Sequence, residues 1–224
     1  MIYFDHAATT PVRPEVVAVI QESLIEDYGN PSSTYALGRR TRQHIDQSRR
    51  IFAASIQADP ADIIITSCGS ESNNTAIIPT ALALKGKGKH LITSAAEHHA
   101  VLHPMNYLET LGFEVTYLPV DAAGKVTLQS VKNAVREDTI LVSLMYVNNE
   151  VGSINPIAEI GAFLAERHIL FHTDAVQAYG SEQIDVGQQH IDLLSVSAHK
   201  INGPKGIGFL YRKNSLHLPN FIHG

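Results

Sequence analysis

Short β-branched runs alternate along the chain with longer stretches whose apolar residues recur at helical spacing. This pattern predicts strands over 62–67, 90–95, 113–119, 139–147, 169–174, 193–198 and 206–212. Helices are predicted over 14–27, 33–58, 71–86, 98–111, 127–136 and 156–167. The strands are apolar on both faces, as strands covered by helices on each side must be. An α/β fold with a seven-stranded, mostly parallel sheet follows. Only INGPK separates the last two strands, too little for a crossover, so the final strand is expected to run antiparallel. The first sixty or so residues carry helical pattern without strands and are expected to pack outside the sheet or reach toward a partner. Residues 1–15 are read as an N-terminal segment and 16–224 as the main α/β domain, with no internal repeat, low-complexity tract or linker.

Composition narrows the classes. With 224 residues, 44% hydrophobic and 17% charged, the chain can bury one sizeable core. A net charge of −5 with mixed signs offers no basic stripe, so neither nucleic acid nor an anionic membrane is an expected partner. The single cysteine, Cys68, allows no internal disulfide and fits a reducing cytoplasm. The apolar stretch from Ala76 to Leu84 contains Pro79 and Thr80 and falls short of the roughly 20 residues a span requires. Lys85 to Lys89 (KGKGK) follows a helix and precedes a strand, the reverse of a phosphate loop, and reads as an exposed turn. The absence of GxGxxG after the first strand argues against an ordinary dinucleotide site.

In open parallel sheets ligands bind beyond the carboxyl ends of the strands, and the residues there are complementary. The run SVSAHKINGPKG places Ser197, His199 and Lys200 at one such end. A lysine amine there can condense with an aldehyde cofactor while its neighbours hold an anionic tail. In TSCGSES, Gly69 and Ser70 open a helix whose N–H groups suit a phosphate, and Ser70 can equally be the helix cap. AAEHHAV puts His98 and His99 at a helix start, where an imidazole can stack on a ring or simply cap the helix. Asn148 and Asn149 follow the 139–147 strand as hydrogen-bond donors. In HTDAVQAYG, Asp174 at a buried strand end calls for a cation, which a protonated pyridine nitrogen would supply. Gln177 can reach the ring's phenolic oxygen, whereas His172 and Asp174 alone are too few ligands for a metal site.

YFDHAATTPVRPEV, YGNPSSTYALGR, TSCGSESNN, EHHAV, VNNEVG, HTDAVQAYG and SAHKINGPKGIGFLYR occur in this order from Tyr3 onward. Together they resemble the pyridoxal-phosphate cysteine desulfurases of the NifS/IscS type, within the class V aminotransferases of PLP-dependent transferase fold type I. The resemblance implies covalent attachment of pyridoxal 5'-phosphate to Lys200, with His98 over the ring as acid/base. It implies Asp174 on the ring nitrogen, Gln177 and Asn149 near the phenolic oxygen, and Gly69, Ser70, Ser197 and His199 on the phosphate. The implied reaction turns L-cysteine into L-alanine and passes sulfur on as a persulfide. A sulfur-acceptor or scaffold protein, a homodimer, and iron–sulfur or thio-cofactor synthesis are implied with it.

The sequence departs from that family by stopping at NFIHG. By the resemblance, the rest of the large domain and a small C-terminal domain are absent, with the persulfide-forming cysteine, the arginine for the substrate carboxylate and a phosphate contact from across the dimer. The expectation is cofactor binding with low activity for this chain alone, and Cys68 in a structural role. Another class V aminotransferase or lyase, and a silent cofactor-binding scaffold, are the alternatives.

Overall fold

A computed structural model describes residues 2–223 of the chain. The strands are β1 (Ile63–Thr66), β2 (His90–Ser94), β3 (Glu114–Leu118), β4 (Thr139–Met145), β5 (Leu170–Asp174), β6 (Leu193–Ser197) and β7 (Gly208–Arg212). They form one sheet in the order β1-β7-β6-β5-β4-β2-β3. Strands β2 to β6 are parallel, and β7 pairs antiparallel with both β6 and β1. The short final connection therefore does reverse the chain, and it slots β7 inside the sheet. Gly208 permits this insertion, since a Cβ there would collide with the Val196 carbonyl.

The helices are α1 (Pro14–Glu26), α2 (Ala36–Ser55), α3 (Gly69–Leu84), α4 (His99–Thr110), α5 (Leu128–Ala134) and α6 (Ile157–Ala165). Helix α2 starts later than its pattern predicts. Asn30 instead folds the preceding residues into a turn, its Oδ1 accepting the Ser32 N–H at 2.9 Å and its carbonyl the Ser33 N–H at 2.9 Å. Both faces of the sheet are covered, as the doubly apolar strands require. One core joins Ile92, Val142, Leu144, Phe171 and Val196 to α2, α5 and α6 through Ala53, Val131 and Ile160. The other joins Leu91, Leu141, Leu193 and Leu210 to α3 and α4 through Ile77, Val101 and Met105. Helix α1 has no buried residue, and Val17, Ile20 and Leu24 lie exposed along it. The KGKGK segment is the exposed turn its position predicts.

Strand order fixes where a ligand can bind. From β4 the chain moves through β5 to β6 on one side, whereas β2 leads to β3 on the other. The direction reverses between β2 and β4, and such a reversal opens a crevice beyond the carboxyl ends of the strands.

Candidate active site

A cavity of about 480 Å³ occupies that crevice. Its lining includes Gly69, Ser70, His98, Asn149, Asp174, Gln177, Ser197, His199 and Lys200, whereas His99 and Asn148, also candidates from the sequence, are not part of it. The lining residues come from the ends of β1, β2, β4, β5 and β6, so the sheet gathers positions spread over more than half of the chain.

Asp174 ends β5 and is 5% exposed. Its Oδ1 accepts the Val176 N–H at 3.0 Å and its Oδ2 accepts Asn73 Nδ2 at 2.7 Å. Both donors are neutral. Burial therefore holds the carboxyl above its ordinary range, with the two hydrogen bonds and the charges of His98 and Lys200 opposing it. A cationic ring nitrogen would supply the charge that this acid lacks. Two residues back on the same strand, His172 is fully buried, with Nδ1 2.7 Å from Ser143 Oγ and Nε2 3.0 Å from Ser195 Oγ. Burial pushes its pKa down to about 3, so a neutral imidazole bridges three strands beneath Asp174. With both ring nitrogens engaged, His172 serves the sheet and not a metal.

Lys200 lies in a short 3-10 turn, Ala198–Lys200, directly after β6. Burial lowers its pKa, opposed by Asp5, Asp174 and Glu150, which favours a nucleophilic neutral amine. Its Nζ donates to the carbonyls of Ala7 and, at 3.0 Å, of Ala8. The turn continues through Asn202, whose φ of 63° is left-handed, a conformation asparagine tolerates better than most residues.

The end suited to a phosphate lies at the start of α3. Gly69 leaves room there, because a Cβ would approach Val176 Cγ2 to 2.8 Å and force it to shift. First-turn N–H groups of a helix have no intrahelical acceptor and face a ligand with the positive dipole end. Ser197, buried, and His199, half-buried, close this end, and burial with the charges of Lys200 and Lys205 lowers the His199 pKa. The capping alternative for Ser70 is corrected here. Cys68 is the N-cap, its Sγ accepting the Glu71 N–H at 3.5 Å, which leaves Ser70 within the helix and exposed.

His98 caps α4 through Nδ1, which accepts the Ala100 N–H at 3.1 Å, and the same residue lines the cavity. His99 is exposed and lies outside this cavity's lining. Asn149 donates to Glu150 Oε1 at 2.6 Å, and Asn148 is committed to the Ala96 carbonyl at 3.0 Å. Gln177 Nε2 donates to the Ala7 carbonyl at 2.8 Å.

Sequence reasoning missed three contributors. Asn73, in the first turns of α3, holds Asp174 from 101 residues away. Glu97, one residue before His98, is buried. The N-terminal segment, expected to pack outside the sheet or reach toward a partner, also contributes Asp5, Ala7 and Ala8 to the cavity lining. Thr10 fastens that segment, its N–H and Oγ1 reaching the His199 carbonyl at 2.8 and 2.9 Å while Oγ1 accepts the Asn202 N–H at 2.7 Å. Nothing in the local pattern announces these contacts, which join positions about 190 residues apart.

The cavity's chemistry suits a planar, aldehyde-bearing, phosphorylated ring with a protonatable nitrogen: an amine, an unpaired buried acid and an open helix N-terminus surround one space. Curated relatives have related names. The chain is 52% identical to "Putative cysteine desulfurase IscS 1" of Bacillus subtilis and 51% identical to "Cysteine desulfurase IscS" of Dictyoglomus turgidum. Each match covers 100% of this chain but only 59% and 57% of the relatives, so the chain spans rather more than half their length. Among solved structures, "SspA in complex with cysteine" superposes with a TM-score of 0.97 at 41% identity over 100% of this chain and 65% of that one. A "NIFS-LIKE PROTEIN" gives 0.96 at 37% identity, over 100% of this chain and 62% of that one. The family profile described as Aminotransferase class-V matches residues 2–220, and the chain belongs to that family.

Proposed function

We propose that the chain forms the cofactor-holding part of a cysteine desulfurase that uses pyridoxal 5'-phosphate. The observation that carries this reading is the convergence of Lys200, Asp174 and His98 from three strand ends on one cavity. The names of the relatives favour L-cysteine over other amino acids as substrate.

When bound, the cofactor supplies an electron-accepting ring that stabilises negative charge at a substrate's α-carbon. Lys200 Nζ would hold the aldehyde end, and its lowered pKa favours the unprotonated amine that such an attachment needs. Asp174 would hold a proton on the ring nitrogen, with Asn73 and Val176 fixing its two oxygens. His98 takes or returns a proton at the substrate side of the ring. Gly69 and Ser70 at the α3 N-terminus, with Ser197 and His199, bind the phosphate, and Gln177 and Asn149 the phenolic-oxygen side. In the overall reaction a thiolate accepts the sulfur as its carbon–sulfur bond breaks, a persulfide forms, and L-alanine leaves. Transfer onward to an acceptor protein, homodimer formation, iron–sulfur or thio-cofactor synthesis and a cytoplasmic setting extend the same reading. Among the described residues no helix is long and apolar enough to cross a membrane.

Incubation with pyridoxal 5'-phosphate should produce a visible absorption band that borohydride fixes covalently, and Lys200→Ala should abolish it. A chain without that band, or a Lys200→Ala variant that keeps it, overturns the assignment. Release of alanine and sulfide from L-cysteine tests the substrate, and turnover of another amino acid instead would favour an aminotransferase.

A further inference from the structure

Glu97 is 6% exposed at the turn between β2 and α4. Its Oε1 accepts the Met145 N–H at 2.9 Å, at the end of β4. Its Oε2 is buried with no hydrogen-bond partner among the described residues. Asn148 ties the same turn to the same strand end, Nδ2 donating to the Ala96 carbonyl at 3.0 Å and lying 3.2 Å from Met145 Sδ. Ser94 Oγ takes the Ala96 N–H at 2.9 Å and completes the turn. The next residue is His98, so these bonds set the position of the imidazole over the cavity.

The groups around Glu97 decide its charge. Met145 of β4 and Ser94 of β2 present neutral hydrogen-bonding groups, and the ionisable group acting from β5 is Asp174, another acid. A carboxylate here would leave a charged oxygen buried and unpartnered, far costlier than a neutral hydroxyl in the same place. Two acids this close share their ionisation unequally. Asp174 has a hydrogen-bond donor on each of its two oxygens, while Glu97 Oε2 has none. Burial first, and the charge of Asp174 among the smaller causes, pushes the Glu97 pKa up to about 8.

We propose that Glu97 is a positioning residue that works as a neutral acid: it ties the turn carrying His98 to the end of β4 and leaves Asp174 as the ionised member of the pair. The role in cofactor binding rests on the reading of the cavity as a pyridoxal-phosphate site. The protonation does not.

The sign of the pH effect follows from linkage. The folded-state pKa lies above the unfolded value, so between these values the folded chain keeps a proton that the unfolded chain has lost. The associated stability is full below the unfolded value and declines as pH rises toward the folded one. Glutamine has the shape of the neutral acid and does not titrate. Cofactor-free Glu97→Gln should therefore melt with the parent near about pH 4.5 and several degrees above it near about pH 8.5. It should bind pyridoxal 5'-phosphate within about twofold of the parent, whereas Glu97→Ala, which loses the tie to Met145, should bind about five- to tenfold more weakly.

An infrared pH titration of the cofactor-free parent provides the direct measurement. A protonated-carboxyl band should persist at neutral pH, vanish above about pH 8 and be missing from Glu97→Gln. Absence of that band at neutral pH, or a Glu97→Gln variant less stable than the parent across the range, overturns the neutral acid. Parent-like cofactor affinity in Glu97→Ala overturns the positioning role. Should Glu97→Gln fail to fold, the parent's own band still decides. A parent that binds no cofactor at all would defeat the proposed function, yet the cofactor-free titration would judge Glu97 independently.

Discussion

The two sides of the cavity are held by different means. The floor, from Asp174 down through His172, is made of side chains on adjacent strands, and their spacing is fixed by register: His172 of β5 faces Ser143 of β4 and Leu193 of β6. The side-chain contacts of Asp174 with Asn73 and of His172 with Ser143 and Ser195 are buried, so losing one leaves an unmet group with no water to replace it. The opposite side is the N-terminal segment from Asp5 to Arg13, an exposed to half-buried strip fastened to the 199–202 turn by backbone and threonine hydrogen bonds. It is followed by α1, which buries no side chain of its own. A site with one side set in the sheet and the other hung on a few solvent-accessible bonds can keep its charges fixed while its mouth opens locally.

Asp174→Asn tests the floor and should have the larger effect. Removing the carboxylate forfeits a charge-assisted hydrogen bond to the ring nitrogen, typically ~1.5–3 kcal/mol, or about a ten- to hundredfold loss of cofactor affinity. Stability should move the other way. The Asp174 pKa is raised on folding, so the folded chain binds the extra proton and this group's contribution weakens as pH rises above the ordinary carboxylate range. At neutral pH the cofactor-free asparagine variant should melt at or above the parent. A drop in both affinity and melting temperature would mean that the carboxylate stabilises the fold and is not held in reserve for a ligand.

Thr10→Val tests the hung side, with a smaller and local effect. The hydroxyl both donates to His199 and accepts from Asn202, so its loss should cost about 1–2 kcal/mol in the stability of the segment. Amide exchange at Thr10, Arg13 and Asn202 should quicken by about five- to thirtyfold, while the β5 amides keep their protection. Equal quickening at β5 would show that the two sides open as one unit.

The same division explains what could be read from sequence. The sheet, its antiparallel final strand and the strand-end residues Lys200, Asp174 and His98 were legible because each depends on local apolar pattern and on the rule that strands end at the site. The fastening of Ala7, Thr10 and Pro11 was not, since backbone carbonyls and one threonine hydroxyl leave no pattern in a sequence. Asn73 and Glu97 were hidden for another reason. Polar residues read as surface until the elements that bury them are in place, and Asp174 and Met145 lie 101 and 48 positions away from them. The late start of α2 was lost to a single competing side chain, Asn30.

Cys68 lines the cavity at the start of α3, and its replacement should have the smallest effect of all. Its sulfur lines the cavity but is already used as the α3 cap, accepting the Glu71 N–H at 3.5 Å. Serine is a stronger cap than a thiol, so Cys68→Ser should leave stability unchanged or raise it by a few tenths of a kcal/mol, roughly. Cofactor affinity should stay within about twofold, because the Gly69 and Ser70 backbone proposed to hold the phosphate is untouched. Sulfur chemistry makes this substitution more than a control. If Cys68 were the thiolate that takes sulfur from cysteine, its sulfur would have to leave the helix cap and reach the substrate side of the ring, away from the end built for phosphate. Sulfide release by the chain, however small, should therefore survive Cys68→Ser with added thiol as acceptor. Loss of most of that release in a variant that still binds cofactor would make Cys68 the sulfur acceptor and would move the reacting sulfur to the fixed side of the cavity.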